Sequence, residues 1–391
     1  MCMLFIKNGT IETMVGERIP NGNILVEDGK IIYIGTDSQP EELKDGDLEI
    51  IDAKGHLVMP GLIDAHCHIG ITEEKKGMEG DDCNESVNPI TPYLRAIDAI
   101  NPMDAAFSDA IKAGITSAMT GPGSSNVVGG QWVFMKMYGR KIDDLIVKAP
   151  AAMKVAFGEN PKVNYSGLSK MPSTRMAIAA MLREELFLAR QYWEKKKKAK
   201  EEEEEFKEDF QYECWIPVFE KQIPLKAHVH RTDDIFTAIR IAKEFDLDIT
   251  LDHCSEGHLI AEEILESGFP AIVGPDLSSR NKIEIQNMAF KTVGVLNKAG
   301  VKSAIITDHP VSLIQSLPIC AGLAVKAGLP MSEGLKVITK YPAEICRVSN
   351  RVGTLEVGKD GDIAIFDGNP MEVFTQTLYT IIDGKVVYKR E

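Results

Sequence analysis

The sequence predicts an α/β protein with a small additional β-domain built from both ends of the chain. In the middle of the chain, short β-like runs alternate with helical stretches. Both ends consist instead of short runs in which apolar and polar residues alternate, and neither end alone has enough apolar surface for a stable sheet. Alternating strands and helices form parallel strands with crossover helices, either in a doubly wound sheet or in a (β/α)8 barrel.

The two ends of the chain are predicted to pair with each other. In the first 60 residues the β-like runs are separated by Asn8-Gly9, Asp28-Gly29 and Gly55, which are typical turn residues. The last 40 residues repeat this pattern, with Asp360-Gly361 and Asp383-Gly384 as hairpin signals. We therefore expect residues 1–60 and 350–391 to form one composite β-sandwich domain, and residues 61–349 to form the larger α/β domain.

Six runs in the middle of the chain are predicted as strands. They are ITSAMTGP (115–122), PAAMKVAFG (150–158), PLKAHVH (224–230), DITLDH (248–253), PAIVGP (270–275) and KSAIITDHP (302–310). Between them, apolar residues recur at helical spacing over residues 235–245, after the predicted N-cap Thr232. The helix that starts near Ala261 is predicted to end at Gly268. The Lys- and Glu-rich segment 194–205 is predicted to be an exposed helix.

Composition excludes several classes of partner. The chain of 391 residues has 44 Lys and Arg against 58 Asp and Glu, a net charge of −14, whereas nucleic acids and anionic membranes attract clustered Lys and Arg. No apolar run reaches the ~18 residues of a membrane span, and the N-terminus does not resemble a signal peptide. The 7 cysteines do not suggest a disulfide framework. We expect a cytoplasmic homo-oligomer that acts on a small molecule and binds neither nucleic acid nor membrane.

Histidines at the ends of the predicted strands indicate a metal site. His66 and His68 lie two residues apart, so both imidazoles face the same side of a strand. His228 and His230 repeat this spacing, His253 ends a later strand, and Asp308-His309 ends the last one. The carboxyl ends of parallel barrel strands open onto one face, and imidazole and carboxylate are ordinary ligands of Zn²⁺ and related ions. A single strand-end histidine is usually structural, but this ordered set predicts a metal centre.

The motifs PGLIDAHCH (60–68), DITLDH and IITDHP, together with GTLEVGKDGDIAIFDGNP (353–370), resemble the amidohydrolase superfamily over essentially the whole chain. Within it, the chain is similar to the imidazolonepropionase-related group, which includes Xaa-Pro dipeptidases of the carboxylated-lysine type. The resemblance implies a distorted (β/α)8 TIM barrel with one or two divalent metal ions, most simply Zn²⁺. By position, His66 and His68 match the first-strand ligands, and His228, His253 and Asp308 match those of the fifth, sixth and eighth strands.

The ligand from the fourth strand is left open between two residues. Strand alternation turns Lys154 into the barrel, where an ammonium ion must be paired or neutralised. Carboxylated by CO2, Lys154 would bridge two metals, and its place in MKVAFG resembles that of the bridging lysine in related binuclear enzymes. The rival is Glu159 in GENP, which resembles the ligand of N-acetylglucosamine-6-phosphate deacetylases. In a third interpretation Lys154 is a salt-bridged barrel lysine.

Further residues are candidates for substrate contacts. The Gly-rich segment 121–132 is predicted to be a loop at the active-site face, whose Gly130 and Gln131 approach the substrate or make a tight turn. Arg231 is a candidate to hold a substrate carboxylate, and His309, beside Asp308, is a further candidate for substrate binding. His230 faces the same side as His228 and is expected to bind substrate, move a proton or orient a ligand.

The predicted reaction is hydrolysis of an amide C–N bond, linear or cyclic, in a small molecule. A bound metal would activate the carbonyl and generate hydroxide near neutral pH, while Asp308 would take the proton and pass it to the leaving nitrogen. The alternatives are a mononuclear imidazolonepropionase-like enzyme or deaminase, and a scaffold relative without activity. Against a deaminase, no glutamate follows His228 within the next five residues. Against a scaffold, every expected ligand position is filled.

Overall fold

A computed structural model of the chain describes residues 3–37, 48–74 and 77–391. Its strands, in chain order, are β1 (Met3–Ile11), β2 (Ile19–Glu27), β3 (Lys30–Gly35), β4 (Leu48–Asp52), β5 (Leu57–Pro60), β6 (Leu62–Cys67), β7 (Ile115–Thr120), β8 (Val128–Lys136), β9 (Ile146–Ala156), β10 (Leu225–Val229), β11 (Ile249–His253), β12 (Ala271–Val273), β13 (Ser303–Ile305), β14 (Ile363–Phe366), β15 (Thr377–Ile382) and β16 (Lys385–Lys389).

The α-helices lie mostly between the strands β7 to β14. They are α1 (Ala105–Lys112), α2 (Ile142–Leu145), α3 (Glu159–Gly167), α4 (Arg175–Glu201), α5 (Phe210–Glu213), α6 (Ile216–Phe219), α7 (Thr232–Phe245), α8 (Ala261–Ser267), α9 (Thr292–Ala299), α10 (Leu317–Lys326), α11 (Met331–Gly334) and α12 (Lys340–Ile345). As predicted, α8 ends at Gly268, which has the left-handed backbone of a C-cap. No helix formed by the described residues is long and apolar enough to cross a membrane.

The strands β6 to β13 form one eight-stranded sheet in sequential order, and this sheet is bent into a barrel. Its two edges meet through main-chain hydrogen bonds, in which Asp308 N donates to His66 O (3.1 Å) and His68 N donates to His309 O (2.8 Å). The sequence prediction of an α/β barrel is therefore confirmed. Because the edges meet at the carboxyl ends of β6 and β13, Asp308 is a neighbour of His66 and His68 although more than 230 positions separate it from them.

One strand departs from the predicted parallel arrangement. Strand β8 is antiparallel to both β7 and β9, which is the main distortion of the barrel. Gly130 and Gln131, predicted as part of a loop, lie inside β8, so that prediction was wrong. The physical reason is a β-bulge at Gly130, where φ is +126°. A Cβ atom at this position would lie 2.5 Å from Leu94 O, so the strand needs a glycine there. Gly130 therefore belongs to a strand and not to a turn.

The second sheet contains strands from both ends of the chain, in the order β16-β15-β14-β5-β1-β2-β3, with β4 also paired to β1. Turns at Asp28-Gly29 and Asp383-Gly384 connect its hairpins, as predicted. Two other turn predictions were wrong. Asn8-Gly9 lies within β1 at a register shift, and Asp360-Gly361 precedes β14, packed against the Asp28-Gly29 turn by a hydrogen bond from Gly361 N to Gly29 O (2.8 Å).

A buried cluster of charges joins this sheet to the barrel. Lys136, the last residue of β8, lies 2.5 Å from Asp362, 2.9 Å from Asp360 and 3.2 Å from Asp383. Asp360 also pairs with Lys30 and Arg351. A buried ammonium ion requires such partners, so the barrel and the terminal sheet are held to each other by charge as well as by apolar packing.

Candidate metal centre

The ends of four barrel strands bring the predicted ligands together. His66 is the last but one residue of β6, and His228 is in β10. His253 is the last residue of β11, and Asp308 follows β13. His253 and Asp308 have left-handed backbones, with φ of 67° and 53°. Non-glycine residues in this region cost on the order of 1–2 kcal/mol and concentrate at functional sites. The bend at His253 explains why two consecutive residues, Asp252 and His253, both contact the centre.

The first group of ligands consists of His66, His68 and Asp308. The Nε2 atoms of His66 and His68 lie 3.4 and 3.2 Å from Asp308 Oδ1. The other ring nitrogens are fixed by acceptors, because His66 Nδ1 donates to Asp252 Oδ2 (2.5 Å) and His68 Nδ1 donates to Gly121 O (2.7 Å). The nitrogens left to bind a metal are therefore the two Nε2 atoms, an arrangement that fixes the tautomer of a ligating histidine.

The second group consists of His228, His230 and His253, whose ligand atoms lie within 4.8 Å of one another. His253 Nδ1 donates to Gly274 O (2.8 Å), and His230 Nδ1 is 2.8 Å from Ser255 Oγ. His228 Nδ1 is buried and has no hydrogen-bond partner in the described part of the chain. Asp308 Oδ1 is likewise buried and has no hydrogen-bond partner among the described residues. Orphaned buried atoms are costly, so these two atoms fit metal ligation.

Lys154 is fully buried beside the first group. Its Nζ lies 3.5 Å from His66 Nε2 and 5.0 Å from the centre of the Trp132 ring. The neighbouring Lys226 pairs with Asp252 (2.9 Å) and donates to Ala65 O (2.9 Å). Lys154 itself forms no ion pair with any carboxylate of the described residues, so the salt-bridge interpretation lacks a partner. Burial, together with the charge of Lys226, lowers the pKa of Lys154 to about 8.

The electrostatics of the imidazoles favour their neutral, metal-binding form. Burial lowers the pKa of His66 to about 4 and that of His230 to about 3, and it also lowers the pKa of His228 and His253. His68 is the exception, because Cys83 and Asp308 outweigh burial and raise its pKa to about 10. Burial raises the pKa of Asp308, but the surrounding histidines lower it more, and they hold the pKa of this carboxyl well below its usual range. Metal ligands must be deprotonated to bind.

The carboxylate beside the second group belongs to Glu284 and not to the predicted Glu159. Glu159 begins α3 and is half-buried, and its backbone N–H donates to Glu284 Oε2 (2.7 Å). Neither group of clustered ligand atoms includes Glu159. Glu284 Oε1 is instead the carboxylate oxygen beside the second group, at 3.7 Å from His228 Nε2 and 3.8 Å from His230 Nε2. Although burial opposes it, these imidazoles lower the pKa of Glu284 to about 2.

A cavity of about 400 Å³ opens above the centre. Its wall combines ligand residues with polar and apolar side chains from the loops that follow the strands, among them His68, His228, His230, Asp308, Ser124, Asn160, Ser255, Lys282, Ile285, Met288 and Val311. Such a mixture of convergent polar groups and apolar surface is typical of a small-molecule site.

Four predicted substrate residues lie outside this cavity. Gly130 and Gln131 belong to β8, where Gln131 Nε2 donates to Pro92 O (3.3 Å). Arg231 is half-buried and pairs with Asp233 (2.9 Å). His309 is fully buried, and its Nδ1 accepts a hydrogen bond from Ile314 N (3.3 Å). The structure therefore places these four residues among protein groups and not along the cavity wall.

Sequence reasoning missed four polar residues near the centre. Asp252 adjoins His253, and its place inside a buried strand was a usable signal. Asn160 adjoins Glu159 and lies 3.4 Å from His228 Nε2. Lys282 and Glu284 lie in a loop after β12 that has no periodic pattern, so nothing in the sequence linked them to histidines more than 50 positions away.

Comparisons with known proteins agree with this geometry. Residues 57–387 match the Amidohydrolase family. Amidohydrolase tasK of Hapsidospora irregularis is 28% identical over 93% of this chain, which spans only 39% of that relative's length. A dihydroorotase of Acetivibrio thermocellus is 24% identical, with 94% of this chain and 95% of the relative aligned. The crystal structure of an amidohydrolase from Thermotoga maritima MSB8 superposes with a TM-score of 0.93 at 37% identity, covering 99% of this chain and 100% of that one.

Proposed function

Because the chain belongs to the amidohydrolase family, we propose that its strand-end histidines, Asp308 and Lys154 form a two-metal centre that hydrolyses an amide C–N bond of a small molecule. The family is metal-dependent, and its members among the relatives hydrolyse C–N bonds. The observation that carries the proposal is the meeting of two groups of potential ligands, His66-His68-Asp308 and His228-His230-His253, at one cavity.

The donor atoms fit divalent ions. We assign His66, His68 and Asp308 to one ion and His228 and His253 to the other, and the unpartnered His228 Nδ1 and Asp308 Oδ1 support this assignment. Nitrogen and carboxylate donors favour Zn²⁺ among the common ions. When bound, such ions supply Lewis acidity toward a carbonyl and lower the pKa of a coordinated water.

Lys154 is proposed as the bridging ligand in carboxylated form. Its buried position and a pKa of about 8 leave about a tenth of the amine neutral at pH 7, far more than for an ordinary lysine. The Nζ lone pair attacks the carbon of CO2, the new N–C bond forms as one C=O electron pair moves to oxygen, and one N–H proton leaves. The resulting carbamate carries one negative charge and two oxygens. Glu159 is the alternative ligand, and the position of its side chain favours it less.

Asp308 and His230 are proposed to transfer protons or to bind the substrate. Asp308 lines the cavity, and beside Oδ1, which faces both first-group imidazoles, its carboxylate has a second oxygen that can accept the proton of the attacking water and deliver it to the leaving nitrogen. His230 Nε2 faces Glu284 Oε1 at 3.8 Å, on the side of the second group, so His230 can bind the substrate or move a proton there.

The proposal is tested with purified protein stripped of metal and reloaded with Zn²⁺ in bicarbonate buffer. The panel contains N-acyl amino acids, dipeptides, cyclic amides and amidine-containing deaminase substrates, and products are identified by mass spectrometry. We expect amides to yield a carboxylate and an amine, or a ring-opened acid, only with metal present. Release of ammonia from an amidine alone, or no turnover by the fully loaded protein, would contradict the proposal.

A further inference from the structure

The cavity above the metal centre contains one strongly basic side chain. Of the described residues that line it, Lys282 is the only lysine or arginine, and its side chain is 38% exposed. We propose that Lys282 binds a carboxylate of the substrate, so that this enzyme acts on small amides that carry a negatively charged group. This inference rests on the proposed function for the reaction, but it makes a separate statement about the ligand.

The hydrogen-bond donors of Lys282 are not used up by its neighbours. Its Nζ lies 2.5 Å from the neutral amide oxygen of Asn160, and Glu284 Oε1 lies 3.9 Å away, beyond hydrogen-bond distance. Glu284 thus forms a long ion pair with Lys282 but accepts none of its N–H groups, because Oε2 accepts the Glu159 N–H (2.7 Å) and Oε1 lies slightly closer to two imidazoles. An ammonium ion has three donors, and Asn160 Oδ1 satisfies one of them. The others remain to bind an anion in the cavity.

Asn160 connects Lys282 to the proposed metal ligand His228. Asn160 holds Lys282 through Oδ1, while its Nδ2 donates to Ser124 Oγ (2.7 Å) and lies 3.4 Å from His228 Nε2. One side chain thus separates the ammonium group from a proposed metal ligand. A carboxylate on Lys282 would leave the rest of a small substrate to reach toward Asp308.

The remaining wall suits an uncharged part of such a substrate. Ile285, Met288 and Val311 supply apolar surface, and the lining around Lys282 includes Ser278, Ser279 and Asn281. The whole protein carries a net charge of −14, so attraction of an anion depends on local cations. Among the described residues of the lining, Lys282 supplies the lysine or arginine charge, and divalent ions would add to it when bound.

The test compares N-acetyl amino acids with their C-terminal carboxamides, which differ in one charge. Zn²⁺-loaded wild type, Lys282→Met and Lys282→Arg are measured, with Lys298→Met in α9 as the matched control for loss of an exposed lysine. Compounds that are hydrolysed give kcat/KM, and the others give a dissociation constant by calorimetry. Wild type and Lys298→Met should prefer the acid ~10-fold or more, which is typical of a charge-assisted hydrogen bond.

Lys282→Met should lose this preference because it binds or hydrolyses the acid less well and the carboxamide equally well. Lys282→Arg should retain most of the preference. The proposal is wrong if no acid binds better than its amide, or if Lys282→Met weakens acid and amide equally, which is the result expected if Lys282 only supports Glu284. Failure of the proposed reaction is recognised separately, because binding is then seen without turnover.

Discussion

Lys154 Nζ lies 3.5 Å from His66 Nε2, and both side chains are fully buried. Two cations at this distance would repel each other strongly in a site of low dielectric constant. Burial lowers the pKa of both groups, to about 8 for Lys154 and to about 4 for His66, while Lys226 takes the ion pair with Asp252 (2.9 Å). Both shifts favour the neutral amine and the neutral imidazole, which are the forms that react with CO2 and bind a metal.

Asp308→Asn should separate metal binding from catalysis. The amide accepts no proton at working pH, so kcat should fall by ~10²-fold or more, the usual loss for a general acid–base group. The wild-type rate should rise with pH, because the base must be deprotonated, through an apparent pKa shared by Asp308 and the attacking water. In the mutant this acid limb should flatten. A mutant that keeps its metal and more than a tenth of wild-type kcat would assign the proton transfer to His230 or Glu159.

Glu284→Gln should weaken metal binding without removing a ligand. The Glu284 carboxylate lies 3.7 Å from His228 Nε2 and stabilises the tautomer whose Nδ1 faces the centre. Loss of such an outer partner costs ~10–100-fold in metal affinity, measured by competition with a chelator. Glu333→Gln, which removes a carboxylate far from the cavity, is the control. Equal metal affinity in wild type and Glu284→Gln would show that Glu284 does not position His228.

The charge cluster around Lys136 predicts the acid sensitivity of the fold. Despite burial, Lys136 and its other partners lower the pKa of Asp360 from 3.8 to about 2. Its contribution to stability is thus complete above pH 3.8 and is lost as the pH falls toward 2. Asp360→Asn should lower the free energy of unfolding at pH 7 by about 2 kcal/mol, measured in urea, and the difference should shrink at pH 3. The exposed Asp98→Asn should cost less than ~0.5 kcal/mol.

Deleting residues 350–391 should yield insoluble protein. The deletion removes β14, which pairs with β5, and leaves that edge open to other chains. It also strips Asp360 and Asp362 from Lys136. Removing only residues 390–391, which follow β16, is the control and should leave the protein soluble. A soluble truncation with the helical circular dichroism of the barrel would refute our assignment of both chain ends to one domain.

The strand-end positions were predictable from sequence because each depends on local pattern. Apolar runs that end in His or Asp placed His66, His253 and Asp308 on strands β6 and β11 and after β13, and barrel geometry supplied their convergence. The antiparallel β8 was not predictable in this way. Its Gly129-Gly130 pair has the composition of a turn, and only the close approach of Leu94 O explains why a strand needs glycine there.

The polar residues behind the ligands were harder to find. Strand alternation assigns Asp252 and His253 to opposite faces, and the left-handed backbone of His253, which brings both to the centre, leaves no trace in the sequence. Glu284 and Lys282 reach His228 and Asn160 through a loop whose path depends on tertiary packing. Contacts of this kind become visible only when the barrel has brought the loops together.

The central claim is a two-metal centre that depends on Lys154, and the most direct test is the metal content per chain, measured by inductively coupled plasma mass spectrometry. We predict close to two divalent ions per wild-type chain and at most one in Lys154→Ala, with the fold unchanged by circular dichroism. The control Glu159→Ala should keep both ions. If Lys154→Ala retains two ions and Glu159→Ala loses one, Lys154 is not the bridge and Glu159 is the ligand.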